Sequence, residues 1–240
     1  MVLFFKQKPP SPPSSTAEQR LDKPGEFWIS IRKLFSNRDI LLLMFVFGQI
    51  QGSFNALGTI IGQAATGFGY TVDDASIFGA LFIVGGIVGS VIFGIWVENT
   101  RSYKKAMIVI CMLSTIFTGA NYLIMPNQVL VPTCVVCFLQ GAAMVPVMAV
   151  AFDFGVELSY PIGESYSTGV IISTGQSFGI IWTVISSVLI DNQDGDGDTS
   201  GLKTSFLILT ISCAVGTFVC LFVNQKLKRY NIEKMQEELK

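Results

Sequence analysis

Polar side chains are scarce within the long apolar stretches of this sequence, and these few are the candidates for chemistry. A polar group in hydrocarbon is costly unless it finds a partner or lines a water-filled cavity. Gln176 carries an amide that can donate a hydrogen bond to a solute and accept one from it. An interhelical hydrogen bond is an equally good interpretation of this glutamine. The candidates from the first, fourth and fifth stretches are Gln49, Gln51, Asn55, Thr59, Gln140, Asp153, Glu157, Ser173, Thr174 and Gln176.

Two carboxylates stand four residues apart in the fourth apolar stretch, at Asp153 and Glu157. On a helix this spacing puts both side chains on one face. They are candidates for a proton or cation relay. The alternative, which we favour because both lie near the end of the stretch, is a gate or anchor paired with Arg or Lys at the cytoplasmic interface. The sequence has no histidine, so any proton coupling within it would need carboxylates.

Two further patterns suggest metal or redox sites, and neither is complete. Cys134 and Cys137 form a CxxC pair inside an apolar stretch, without the second ligand pair that a zinc site needs. The stretch 192–203 is similar to a calcium loop, but Lys203 occupies the twelfth position, where an EF-hand has a glutamate. We therefore predict no metal, no cofactor and no enzymatic activity. The net charge of −1 gives no reason to expect a nucleic-acid partner.

Long apolar helices are the elements that must position these side chains. Half of the 240 residues are hydrophobic and only 14% are charged, against about 25% charged in an ordinary soluble domain. A membrane helix takes roughly 20 apolar residues. Six stretches come close to that length, which predicts an all-α membrane protein with spans near 40–63, 76–97, 106–125, 129–156, 167–190 and 205–223.

The positive charges predict how these spans are oriented. Of the 16 Lys and Arg, all except Lys203 lie in the N-terminal tail, after the second span or in the C-terminal tail. Because positively charged loops stay in the cytoplasm, we predict that both termini are cytoplasmic. The predicted domains are a cytoplasmic linker over 1–39 with an amphipathic helix near 26–36, a six-helix bundle over 40–224 and a cytoplasmic tail over 225–240.

Several short motifs are distinctive enough to compare with known families. They are Leu3-Phe4-Phe5, Pro9 to Ser14, Gly52 to Asn55 with Gln63, Gly94 to Lys104, Phe152 to Pro161, Ser167 to Gly169 and Gln176 to Ile180. Together they resemble transporters of the feline leukaemia virus subgroup C receptor-related (FLVCR) family, which belongs to the major facilitator superfamily. The resemblance covers nearly all of residues 1–230, and its most specific part is the Tyr160-Pro161 region with its spacing to Gln176.

The resemblance implies a fold, one half of a major facilitator bundle built as a three-plus-three inverted repeat. It also implies transport of a small organic solute, since family members are linked to choline, to ethanolamine and historically to haem. It puts Gln176 in the central cavity, and we predict that Asn55 and Phe54 bind substrate beside it. The residues predicted to act in gating or in structure are Asp153, Glu157, Arg101 and Lys104.

One position departs from the family. Close relatives of known choline specificity carry Tyr in the first span where this chain has Asn55. An aromatic face attracts a quaternary ammonium by about 0.5–2 kcal/mol. Its replacement by an amide therefore favours an amine with N–H groups over choline.

A complete transporter of this superfamily has two six-helix bundles around one central site. The sequence of this chain predicts only one of these bundles. Its expected partners are a small-molecule substrate, the lipid bilayer and an N-terminal six-helix half, from the same gene or from a separate chain. Met1 to Phe5 is similar to the severed end of a preceding helix, which favours a fragment. The rival interpretation is a non-transporting membrane subunit or scaffold that retains the fold.

Overall fold

The computed structural model describes residues 26–191 and 199–224, and within them the chain is helical, without strands. Six helices are long and apolar enough to cross a membrane, which confirms the predicted fold class. A shorter helix, Glu26–Ser36, precedes them and is called the N-terminal helix below. The first to sixth spans are Arg38–Gly67, Val72–Thr100, Tyr103–Asn127, Leu130–Ser159, Glu164–Asp191 and Ser200–Cys220.

Three predicted segments fall largely outside the described residues. These are residues 1–25 of the linker, the acidic stretch 192–198 with its calcium-loop pattern, and residues 225–240 of the tail. The sixth span begins at Ser200 rather than at 205, so Lys203 is exposed in its first turn and not in a loop. A long lysine side chain reaches polar surroundings from near a helix end, so its charge does not delay the start of the helix.

The start of the second span is set by a capping box. The backbone N–H of Asp74 donates to Oγ1 of Thr71 at 3.2 Å, and the N–H of Thr71 donates to Oδ2 of Asp74 at 3.0 Å. Two backbone donors that the helix leaves unpaired are satisfied in this way. Gly69 has a φ of +92°, which allows the chain to reverse between the first two spans.

The fourth span consists of two helices, Leu130–Met144 and Val147–Ser159, joined through Pro146. Proline has no N–H for the carbonyl four residues earlier, and its ring crowds that carbonyl, so the break has a local cause. In the first of these helices, Gly141 lies against the backbone of Phe82, where a Cβ atom would clash. The second and fourth spans therefore pack backbone to backbone.

The first span is the centre of the bundle and the most buried of the six. Its most extensive contacts are with the fifth span, and it also packs against the second, fourth and sixth. Glycines permit the close approach, because Gly52 faces the ring of Trp182 and Gly175 faces the ring of Phe47. This pairing of the first and fifth spans brings the polar residues of the candidate site together.

The two ends of the bundle differ in charge. The first, third and fifth spans begin, and the second, fourth and sixth end, at what we call the basic end. All but one of the described Lys and Arg lie there: Arg32, Lys33, Arg38, Arg101, Lys104 and Lys105. At the opposite end Lys203 is accompanied by Asp73, Asp74 and Asp191.

Candidate functional site

Three amide side chains form a hydrogen-bonded chain between the first and fifth spans. Gln51 Nε2 donates to Asn55 Oδ1 at 3.3 Å, and Asn55 Nδ2 donates to Gln176 Oε1 at 3.3 Å. Gln51 is buried, Asn55 is half-buried and Gln176 is exposed, so the chain runs from the core to an open surface. Among the described residues, Nε2 of Gln176 donates to no protein group. Two N–H donors of Gln176 are therefore available to a solute.

Two glycines of the fifth span make this contact possible. A Cβ atom on Gly179 would lie 2.6 Å from Asn55 Nδ2, and one on Gly175 would lie 3.1 Å from Cγ of Gln51. Real Cβ atoms essentially never come as close as the first of these distances. The absence of side chains at these two positions therefore leaves room for the amides of the first span next to Gln176.

The exposed face around this contact is polar in two separate segments. On the first span, Asn55, Thr59 and Gln63 recur at four-residue spacing toward Gly67, with open space above Gly58 and Gly62 between them. On the fifth span the polar segment lies on the other side of Gln176, toward the basic end. It comprises Ser173 with the exposed Gly169 one turn before it, whereas the exposed Ser177 lies one residue past Gln176.

Beyond Gln176 the same exposed face of the fifth span becomes apolar, with Ile180, Ile181 and Val184. The two polar segments therefore adjoin at the Asn55–Gln176 hydrogen bond and continue to opposite ends of the bundle. Gln63 was not predicted as a site residue, although its spacing from Asn55 could have identified it. Its amide makes no hydrogen bond within the described part of the chain.

Phe54 lies next to Asn55 but points elsewhere. Its ring is half-buried and stacks on Phe82 of the second span, with ring centroids 5.2 Å apart and an interplanar angle of 21°. The described structure does not bring it into the hydrogen-bonded chain. Its part in substrate binding stays a prediction.

Two other glutamines, both buried, join neighbouring spans. Gln49 is buried and its Oε1 accepts from Trp182 Nε1 at 3.2 Å and from Ser212, which ties the first span to the fifth and sixth. Gln140 Nε2 donates to Thr118 Oγ1 at 3.1 Å, and Asn121 donates to Gln140, which joins the third and fourth spans. The hydroxyls of Thr59, Ser173 and Thr174 donate to carbonyls of their own helices.

The CxxC pair has no partner ligands in the described structure. Cys137 is buried and its Sγ donates to Oδ1 of Asn121 at 3.8 Å, while Cys134 is half-buried. Both are free thiols. Within residues 26–191 and 199–224, no group of three His, Cys, Asp or Glu side chains comes together as metal ligands would.

Asp153 and Glu157 differ in their surroundings. Glu157 is buried, with 7% of its surface exposed, whereas Asp153 is exposed. Arg101 has a φ of 50°, and its Nη1 donates to the hydroxyl of Tyr103 at 3.5 Å. This hydrogen bond raises the pKa of Arg101, and the nearby negative charges of Glu157 and Glu98 act in the same direction. Glu157 therefore lies within the field of a cation at the basic end.

Side chains at the basic end hold the ends of the spans together. Lys104 Nζ donates to the carbonyl of Leu221 at 3.0 Å, where a cation suits the C-terminus of the sixth span. Asp39 Oδ1 accepts from the backbone N–H of Asn224 at 3.3 Å. Lys104 therefore links the third span to the end of the sixth.

Comparison with known proteins gives the chain its family. Residues 1–153 match the family profile described as MFS/sugar transport protein. Solute carrier family 49 member A3 of Xenopus tropicalis is 31% identical over 250 residues, covering 97% of this chain and 51% of that protein. The choline/ethanolamine transporter FLVCR2 of Homo sapiens is 27% identical over 239 residues, covering 98% of this chain and 44% of that protein.

A third relative extends the same pattern. The choline/ethanolamine transporter FLVCR1 of Felis catus is 28% identical over 240 residues, covering 96% of this chain and 41% of that protein. The chain spans about half the length of the curated relatives it matches. With six apolar spans, a matching family profile over most of its length and these relatives, the chain belongs to the MFS/sugar transport proteins, as an FLVCR-related half of a major facilitator superfamily transporter.

Proposed function

We propose that this chain forms the C-terminal half of an alternating-access transporter for a small amine-bearing or zwitterionic solute. The observation that carries the proposal is the Asn55–Gln176 hydrogen bond, near the middle of two spans and on an open face. Amides in that position are costly against lipid, so water, a solute or a second bundle must cover them. The named activity of the FLVCR relatives, choline and ethanolamine transport, supports this class of solute.

The chemistry of the pair favours an ethanolamine-like amine. The oxygens of Asn55 and Gln176 can accept N–H donors of a primary ammonium, and Nε2 of Gln176 can donate to a hydroxyl or carboxylate of the same solute. Choline has no N–H to offer, and an amide supplies no aromatic face for its methyl groups. Haem, a large planar macrocycle, suits two small polar contacts less well than an amine does.

The two polar segments support a path for the solute. Thr59 and Gln63 would line it between the site and the Gly67 end, and Ser173 would line it between the site and the basic end. A hydroxyl that donates to its own backbone is tolerated in lipid, whereas an amide such as that of Gln63, which has no hydrogen bond to any described residue, is costly there. Gln63 therefore belongs to the proposed lining of the solute path.

Gating is proposed for the basic end. Glu157 lies within the field of Arg101, and Lys104 holds the end of the sixth span. These interactions lie at the basic end of the second, third, fourth and sixth spans, where closure would have to occur. The distribution of Lys and Arg supports a cytoplasmic location for this end and for both termini.

Uptake tests the proposal, with the chain joined to or co-expressed with an N-terminal six-helix half. Cells would be given labelled ethanolamine, with its N-methylated derivatives and choline as competitors. We expect uptake of ethanolamine. Gln176→Ala should weaken the binding of every substrate, whereas the neighbouring Ser177→Ala should leave substrate affinity within about twofold. Normal assembly at the membrane without uptake of any amine would favour the scaffold interpretation instead.

A further inference from the structure

The N-terminal helix Glu26–Ser36 is held firmly against the bundle. Leu34 is completely buried, and Ile31 is half-buried against the same core. Asn37, the single residue between this helix and the first span, accepts from the N–H of Asp39 at 3.1 Å and donates from Nδ2 to the carbonyl of Leu158 at 3.3 Å. The helix therefore has one defined face toward the protein and one away from it.

The face turned away from the bundle carries large apolar side chains. Trp28 is 75% exposed, Ile29 is 56% exposed and Phe35 is 50% exposed. Trp28 and Phe35 are seven residues apart, which puts them on one side of the helix. Tryptophan in particular is enriched where the hydrocarbon of a bilayer meets its headgroups.

Positive charges lie between these apolar side chains. Arg32 is four residues from Trp28, and Lys33 is four residues from Ile29, so the cations share the outer face. Arg38 follows at the start of the first span. Within the described part of the chain, none of these three cations is paired with a carboxylate.

The N-terminal helix ends close to the point where the first span meets the membrane. The first span begins at Arg38, one residue after Asn37, and a membrane span enters the hydrocarbon within a few residues of its end. The C-terminal end of the N-terminal helix is therefore near the depth of the lipid headgroups. A helix with apolar and basic side chains on its outer face is suited to that depth.

We propose that the outer face of the N-terminal helix binds anionic phospholipid headgroups of the leaflet at the basic end. Trp28, Ile29 and Phe35 enter the boundary between headgroups and acyl chains. The cations at positions 32, 33 and 38 contact the negatively charged headgroups, whose surface potential attracts basic segments. This lipid binding does not depend on transport of any solute.

Quenching of tryptophan fluorescence by brominated lipids tests the proposal on the full chain in lipid nanodiscs. The chain has three tryptophans, so the difference between the parent and Trp28→Phe isolates the signal of Trp28. We expect brominated phosphatidylserine to quench Trp28 more strongly than brominated phosphatidylcholine at the same mole fraction. The double variant Arg32→Gln/Lys33→Gln should lower this enrichment of phosphatidylserine at least about fivefold.

Lys105→Gln is the matched control, because Lys105 is an exposed cation at the same end of the bundle but outside the N-terminal helix. It should leave the enrichment unchanged, whereas Phe35→Ser should reduce quenching by both lipids. Absence of quenching by either lipid would mean that protein covers this face, and would overturn the proposal. Equal quenching by the two lipids, or an equal loss with Lys105→Gln, would overturn the recognition of anionic headgroups.

Discussion

The amide of Asn55 occupies the space that a side chain at Gly179 would take, since a Cβ atom there would lie 2.6 Å from Asn55 Nδ2. Gly179 is one helical turn beyond Gln176, to which the same Nδ2 donates its hydrogen bond. The contact between the first and fifth spans at the candidate site therefore requires that position 179 has no Cβ atom.

Gly179→Ala should displace Asn55 from Gln176. Crowding a well-packed position costs about 1–3 kcal/mol, so we expect substrate affinity of the complete transporter to fall about tenfold. Uptake kinetics would measure this change. Gly79→Ala is the control, because open space surrounds Gly79, and it should change affinity little. Equal losses in the two variants would contradict the packing argument.

Asn55→Tyr should shift selectivity toward quaternary amines. The ring supplies a face for a methylated ammonium, and we expect the preference for choline over ethanolamine to rise by up to about 2 kcal/mol. Competition between the two amines for uptake would measure it. Thr59→Tyr, one turn away on the same exposed face, is the control and should shift the preference less. No change in the ratio would argue against contact between position 55 and the ammonium.

Cysteines introduced at Gln63 and Ser173 should react with membrane-impermeant thiol reagents from opposite sides of the membrane. The reason is that the polar segments of the first and fifth spans lead to opposite ends of the bundle. Val184→Cys, on the apolar part of the exposed face of the fifth span, should stay unlabelled. Labelling of 63 and 173 from the same side, or labelling of 184 as fast as either, would refute two water-filled segments.

Glu157→Gln should alter turnover or expression while substrate affinity stays within a few-fold. Glu157 is buried within the field of Arg101, so neutralising it perturbs contacts at the basic end rather than at the amide pair. Asp153→Asn changes an exposed carboxylate and should have the smaller effect. Separate determination of KM and maximal rate distinguishes the roles, and a selective collapse of affinity in Glu157→Gln would reverse the assignment.

Cysteines placed at Ser200 and Gln236 should be labelled from opposite sides of the membrane. The expectation follows from the distribution of positive charges, which predicts both termini in the cytoplasm and the start of the sixth span on the opposite side. Impermeant reagent applied to intact cells and to inverted vesicles makes the measurement. Labelling of both positions from one side would exclude an odd number of crossings between them.

The number and approximate position of the spans could be predicted because hydropathy is a local property. The first apolar stretch, 40–63, corresponds to the helix Arg38–Gly67. The interruption of the fourth span also has a local cause in Pro146. The sixth span was misplaced by a few residues, since a charge at Lys203 lowers local hydropathy without preventing the helix.

Helix faces were harder to predict, because burial depends on which neighbour covers a face. Asp153 and Glu157 share one face by spacing, yet only Glu157 is buried. Phe54 and Asn55 are adjacent in sequence, and about 100° of helical rotation sends the ring to Phe82 and the amide to the fifth span. Sequence spacing gives the angle between two side chains, but it does not say what lies opposite either of them.

By itself, the sequence determined that the chain crosses a membrane several times, with uncharged amides at mid-span and positive charge concentrated outside the spans. Composition and local periodicity suffice for that, because lipid imposes the same demand on every segment. The tertiary structure alone decided that Asn55 and Gln176, 121 residues apart, share a hydrogen bond. That contact requires two helices to pack through Gly175 and Gly179, and close packing between distant segments is a property of the whole bundle.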